Sequence, residues 1–95
     1  MDSALRNRIG VAFAITGGPQ VVLTHVPATL APPAKVGDAI RLEATSGRTE
    51  DSKVGAIEYA RMSGGAEFYG LCLEGESIDA FSEFSDGTYE IHPAS

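Results

Sequence analysis

Apolar and polar residues alternate with a period of two along most of this chain, a pattern that is typical of β-strands. Residues 8–15 illustrate it, because Ile9, Val11, Phe13 and Ile15 alternate with Arg, Gly and Ala. A turn containing two glycines and a proline follows, and the next segment is rich in valine, so the first two strands are expected to form a hairpin. The same reasoning predicts strands over residues 8–15, 20–26, 40–44, 54–62, 66–73 and 88–92.

The segments between these strands are expected to be loops, with one exception. Residues 27–34 hold three of the prolines, and residues 46–53 are polar, so both are predicted to be loops. Residues 77–84 place Ile78, Phe81 and Phe84 at helical spacing before an Asp-Gly pair, which favours one short helix.

Together these elements predict a mainly β fold in one globular domain covering residues 1–95. The expected architecture is a small antiparallel β-barrel or a strongly bent sheet of five to six strands, with one short helix near residues 77–84. The alternative is an α+β fold. The inward-facing side chains are predicted to be Ile9, Val11, Phe13, Leu23, Ile40, Leu42, Ile57, Phe68, Leu71, Leu73 and Ile91.

Charge is distributed unevenly along the sequence. The 95 residues carry a formal charge of −6, and after Arg61 the chain has seven carboxylates and no lysine or arginine. A nucleic-acid-binding surface needs clustered basic residues, so no nucleic-acid partner is expected. No segment approaches the roughly 18 apolar residues of a membrane helix, so no membrane association is expected either. The single cysteine excludes an internal disulfide, and we expect a cytoplasmic protein.

The sequence favours binding over catalysis. It contains no glycine-rich phosphate loop and no Gly-x-Ser-x-Gly nucleophile motif. His25, Cys72 and His92 are the only nitrogen or sulfur side chains of the kind that structural zinc sites use, and four are normally needed. Cys72 lies between two leucines with only acids nearby, which is typical of a small buried residue rather than a nucleophile. We therefore expect no catalytic residue, metal or cofactor.

The acidic last third of the chain is the strongest candidate for a functional surface. Carboxylates alternate there with aromatic residues, an arrangement that suits docking of a basic protein: charge steers the encounter and aromatic side chains supply buried area. The predicted partner-binding residues are Glu74, Glu76, Asp79, Phe81, Glu83 and Phe84. The protein is thus predicted to be a non-catalytic protein-interaction module.

Two other function classes remain open. A ligand-binding β-barrel would hold a small molecule at its mouth, with the proline-rich loop at residues 27–34 as a lid. A structural homo-oligomer would bury the second apolar faces of residues 10–14 and 66–73. A homodimer is expected, because both faces of the first and fifth strands are apolar and unpaired strand edges invite pairing.

Overall fold

The computed structural model describes residues 7–61 and 64–94, and its regular structure there consists of antiparallel strands and one short turn of 3₁₀ helix. The strands are β1 (Ile9–Ala14), β2 (Gln20–Pro27), β3 (Ala39–Glu43), β4 (Thr49–Arg61), β5 (Glu67–Glu74) and β6 (Thr88–His92). The prediction of a mainly β fold with a strongly bent sheet is therefore confirmed. Met62, the last residue of the predicted fourth strand, lies outside the described residues.

The six strands form one strongly curled half-barrel with the order β1-β2-β5-β4-β3-β6. Every neighbouring pair is antiparallel, including the hairpin predicted for β1 and β2. The two edge strands meet at one end, where Ile9 N–H donates to the Gly87 carbonyl and Tyr89 N–H donates to the Asn7 carbonyl, both at 2.8 Å. The sheet thus curls around one interior, and in the described part of the chain its two edges are joined only at this end.

A β-bulge at Gly10 determines which face of β1 is buried. Ile9 is opposite Thr24 and Val11 is opposite Leu23, so Gly10 is the extra residue in this register. Such an insertion reverses the alternation beyond it. Glycine suits the position, because a Cβ there would lie 3.3 Å from the Leu23 carbonyl oxygen.

The bulge overturns two predicted core residues. Val11 and Phe13 are 41% and 37% exposed, whereas Ala12 is 1% exposed and faces the interior. The prediction that Val11 and Phe13 belong to the core is wrong, because the bulge at Gly10 interrupts the regular alternation.

Strand β4 is longer than the sequence pattern indicates. It begins at Thr49, so most of the predicted loop at 46–53 is strand paired with β3. In this register Glu50 is opposite Leu42 and Ser52 is opposite Ile40. These two polar residues lie on the inner side of the sheet, beside the buried Leu42 and Ile40. The sequence of residues 49–53 therefore lacks the apolar-polar alternation that predicts a strand.

The short helix predicted over residues 77–84 is wrong in extent and type. Only Phe81–Phe84 are helical, and they form a single 3₁₀ turn. Ala80 immediately before it has φ 52 and ψ 46, a left-handed conformation that a right-handed helix cannot run through. The described residues contain no other helix, and hence none that is long and apolar enough to cross a membrane. The α+β alternative is excluded for this part of the chain.

The interior is filled by side chains from all six strands and from the 3₁₀ turn. Its buried members are Ile9, Ala12, Val22, Ala34, Ile40, Leu42, Ala44, Val54, Leu71, Leu73, Phe81, Phe84 and Tyr89. Ile57 and Ile91 pack against this cluster while partly buried. Leu23 and Phe68, also predicted to be core, alternate with inward-facing residues and lie on the outer side of the sheet, where Leu23 is buried and Phe68 half-buried.

Candidate functional site

An open cleft of about 700 Å³ lies between the start of β4 and the segment that follows β5. Five carboxylates contribute to its lining, and Arg48 and Lys53 are the cations there, so the cleft has an excess of negative charge. The carboxylates are those of Glu50, Asp51, Glu74, Glu76 and Asp79. They converge because β4 and β5 are neighbours in the sheet, with Lys53 opposite Glu74.

Arg48 is the best-anchored side chain of this cleft. Its Nη1 donates to Glu83 Oε1 at 2.8 Å, and its Nη2 donates to Glu50 Oε2 at 3.1 Å. The guanidinium carbon lies 5.1 Å from the centroid of the Phe84 ring, a distance suited to a cation–π contact. Two carboxylates and an aromatic ring therefore fix the guanidinium in place.

The same contacts determine the ionisation of Glu83. The hydrogen bond from Arg48 lowers the pKa of Glu83, and a second from the Ser46 hydroxyl, 2.7 Å from Glu83 Oε2, lowers it further. Conversely, the hydrogen bonds to Glu83 and Glu50 raise the pKa of Arg48. Glu83 and Arg48 thus neutralise each other, so Glu83 has little charge to offer a partner.

Asp51 is also paired within the chain. Arg41 on β3 donates from Nε to Asp51 Oδ1 at 2.8 Å, and this hydrogen bond lowers the pKa of Asp51. Glu74, Glu76 and Asp79 differ from these residues: among the described residues, no cation forms an ion pair with any of the three. All three are exposed to solvent.

The predicted partner-binding residues thus separate into three groups. Glu74, Glu76 and Asp79 lie together at the cleft, and Glu83 is held by Arg48. Phe81 and Phe84 were expected as apolar anchors at the margin of a helix, but both are buried in the interior, with ring centroids 6.0 Å apart. They are unavailable for direct contact with a partner, because the turn that carries them packs inward against β1. Phe84 nevertheless contributes to the site indirectly, because its ring packs against the Arg48 guanidinium.

Sequence reasoning missed Arg48, Glu50 and Asp51 as residues of this cleft. All three lie in or beside the segment predicted to be a loop, which hid their register with β3. One signal was present in the sequence: Arg48 is one of only three basic residues in the acidic half of the chain.

The other candidate reactive groups are not assembled into a site. Cys72 is buried, and burial raises the pKa of its thiol, with a further contribution from the charge of Glu58. His92 Nε2 lies 3.4 Å from Glu90 Oε1 on the exposed side of β6. In the part of the chain that the structure describes, no three His, Cys, Asp or Glu side chains are grouped closely enough to hold a metal ion.

A second cavity, of about 430 Å³, lies against the proline-rich loop. Polar and apolar atoms contribute about equally to its lining, which includes Asn7, Val26, Leu30, Pro33 and the buried Tyr89. Tyr69 holds the loop in place from the other side, because its hydroxyl donates to the Leu30 carbonyl oxygen at 2.5 Å.

Comparisons with known proteins add no assignment to this geometry. The chain matches no protein-family model, and no significantly similar curated protein or solved structure is found.

Proposed function

We propose that this protein is a non-catalytic interaction module whose acidic cleft binds a lysine- or arginine-rich segment of a partner protein. The observation that carries the proposal is the group formed by Glu74, Glu76 and Asp79. These carboxylates line one open cleft, and no cation of the described residues pairs with them.

Electrostatics supports a cationic occupant. Like charges on the wall of a cleft reinforce one another's field, and a cationic segment relieves their mutual repulsion while being steered towards them. Arg48 does not oppose this attraction strongly, since Glu83 and Glu50 already neutralise it. The attraction acts largely between exposed charges, so binding should weaken steeply as salt shortens the Debye length.

The proposal is tested with a fluorescently labelled oligo-arginine peptide, whose binding is followed by anisotropy over a salt series. The decisive variant is the double substitution Glu74→Gln with Glu76→Gln, which removes two cleft charges while keeping side-chain size. The matched control is Glu43→Gln with Glu90→Gln, which removes two charges from exposed positions outside this cleft.

We expect the cleft variant to weaken peptide binding several-fold more than the control, with the difference shrinking at high salt. Equal weakening by the two variants would mean that the peptide senses only the net charge of −6. The acidic surface would then serve solubility alone, and the proposal would be wrong.

A second candidate function is the binding of a small molecule under the proline-rich loop. The cavity of about 430 Å³ favours it, because its volume falls within the range of small-molecule sites, roughly 300–1,000 Å³. Val26→Trp would fill this cavity. In a fragment screen by NMR, ligands of this site should shift the resonances of the loop in the native chain and leave the variant unchanged.

The same proposal places the protein in the cytoplasm. The single cysteine supports this placement, because small secreted domains usually depend on disulfides that this chain cannot form internally.

A further inference from the structure

Strand β4 lies between β5 and β3 in the sheet, yet its first residues have a neighbouring strand on one side only. Strand β3 pairs with β4 from Thr49 onward. Strand β5 pairs with it only from Lys53 onward, where the partner is Glu74, the last residue of β5. The edge of β4 at residues 49–51 therefore faces the place that a longer β5 would have filled. Asp51 on this edge is part of the lining of the acidic cleft.

The backbone groups of this edge are unpaired. Val54 N–H donates to the Asp38 carbonyl oxygen at 2.9 Å, and the Arg48 carbonyl oxygen accepts from an N–H just beyond β3 at 2.8 Å, so both residues direct their backbone groups towards β3. The β3–β4 register is regular, and backbone direction alternates along an antiparallel strand. Thr49 and Asp51 thus direct their N–H and C=O groups away from β3, where no group in the described part of the chain bonds to them.

The opposite wall of the cleft is held away from this edge by Gln20, at the start of β2. The side-chain amide of Gln20 binds the backbone of Ile78 in both directions: Nε2 donates to the Ile78 carbonyl oxygen and Oε1 accepts from Ile78 N–H, both at 2.8 Å. Strands β2 and β4 lie on opposite sides of β5. The segment that follows β5 is therefore tied to the β2 side, and the edge of β4 stays open to solvent.

An extended peptide segment matches this edge, because it presents N–H and C=O groups with the spacing of a strand. Charge determines which kind of segment is favoured. Glu74, Glu76 and Asp79 line the same cleft as Asp51, and no cation among the described residues pairs with those three. A segment rich in lysine and arginine is attracted to these carboxylates, whereas an acidic segment is repelled.

We propose that the basic segment in the acidic cleft adds to β4 as an extra strand, with its backbone hydrogen-bonded to Thr49 and Asp51. This inference rests on the proposed function, since it concerns the same cleft and the same class of partner, and it specifies the conformation in which the partner binds. Every second residue of an added strand directs its N–H and C=O groups at β4. A short extended segment is therefore long enough to make both contacts.

The test compares three labelled oligo-arginine peptides of equal length and charge by fluorescence anisotropy. One is unmodified, one is N-methylated at every second residue and one is N-methylated at every residue. Alternate methylation leaves one edge of the peptide able to donate, so the affinity should stay within about twofold of that of the unmodified peptide. Full methylation removes all donors without changing the charge, and it should weaken binding by about tenfold or more.

A matched pair of variants tests the edge from the side of the protein. Thr49→Pro removes an N–H that points away from β3, the kind of position at which a strand accepts proline. Thr49→Val keeps this N–H and nearly the same side-chain volume. We expect Thr49→Pro to weaken binding of the unmodified peptide several-fold and Thr49→Val to leave it unchanged. Circular dichroism establishes that both variants are folded.

Amide hydrogen exchange tests the same contacts in the native chain, without any substitution. Saturation with the unmodified peptide should slow the exchange of the Thr49 and Asp51 amides. The amides of Glu50 and Ser52, which face β3, are the internal controls and should exchange at the same rate with and without peptide.

The outcomes separate this inference from the function on which it rests. The added strand is refuted if the substitutions Glu74→Gln and Glu76→Gln weaken binding while full methylation has no effect and the amides of Thr49 and Asp51 gain no protection. The cleft would then hold the peptide by charge alone, as the proposed function requires. If those substitutions have no greater effect than their control, the proposed function is wrong, and the added strand is wrong with it.

Discussion

Phe13 and Phe84 offer a direct test of the interior as described, because the same substitution should have very different effects at the two positions. Phe84 is completely buried and Phe13 is 37% exposed. Truncating a fully buried phenylalanine to alanine costs about 3–5 kcal/mol, since a cavity is left in addition to the lost transfer free energy. We expect Phe84→Ala to fall in this range, which is a large part of the 5–15 kcal/mol typical of a small domain.

The expected cost at Phe13 follows from its smaller burial. Fully burying a large apolar side chain contributes about 1.5–3 kcal/mol, and the outer position of Phe13 leaves no enclosed cavity after truncation. Phe13→Ala should therefore lower the free energy of unfolding by about 1–2 kcal/mol. The sequence pattern alone, which places Phe13 in the core, predicts the larger loss at this position.

Urea denaturation followed by circular dichroism measures both changes in free energy. The protein is kept dilute, so that any self-association does not contribute to the measured stability of the Phe13 variant. Equal losses for the two variants, or a larger loss for Phe13→Ala, would refute the assignment of the bulge at Gly10 and of the inward direction of Ala12.

Three further predictions concern a close backbone contact, a buried carboxylate and an expected lack of binding. Gly87→Ala should destabilise the fold by about 3 kcal/mol or more in urea denaturation, because a Cβ would overlap the Glu43 carbonyl oxygen, a backbone atom that cannot rotate away. Asp38 accepts hydrogen bonds from the N–H groups of Lys35 and Ala94, and these lower its pKa. A lowered native pKa stabilises the fold fully above the ordinary value of about 4 and loses its effect as pH falls through the native value, so Asp38→Asn should lower the melting temperature at neutral pH and converge with the native chain in acid. Electrophoretic mobility shifts should show no binding of duplex DNA in moderate salt, since the second half of the chain carries ten carboxylates and three basic residues.

The class of fold follows from the sequence because period-two alternation is a local property. Strand β5 shows this well: Leu71 and Leu73 are buried on one side, and Cys72 faces the other side, as the alternation predicts. Turn residues are also recognisable from the local sequence, so the β1–β2 hairpin is predictable. The start of β4 is not predictable, because its inner residues Glu50 and Ser52 are polar and line a cleft instead of a core.

The candidate site was predictable in its charge and not in its shape. Glu74, Glu76 and Asp79 were identified as an acidic group, and they do lie together. The burial of Phe81 and Phe84 depends on the left-handed residue Ala80, which turns the following residues inward and which no pattern of apolar spacing reveals. Apolar spacing alone therefore places Phe81 and Phe84 at the surface. In the structure both are buried, and Phe84 contributes to the site through its contact with Arg48.

The inward direction of Ala12 and the burial of the 3₁₀ turn are two consequences of the same packing constraint. Both faces of β1 are apolar, so hydrophobicity alone does not choose between them; the choice depends on what else must fill the interior. With Ala12 inside, a small side chain faces the interior, and the 3₁₀ turn that carries Phe81 and Phe84 packs against β1. Because interiors are close-packed, an inward Phe13 would compete with those two rings for the same volume. The bulge at Gly10 resolves this competition, and it leaves the larger apolar side chains of β1, Val11 and Phe13, on the outer side of the sheet, where both are partly exposed.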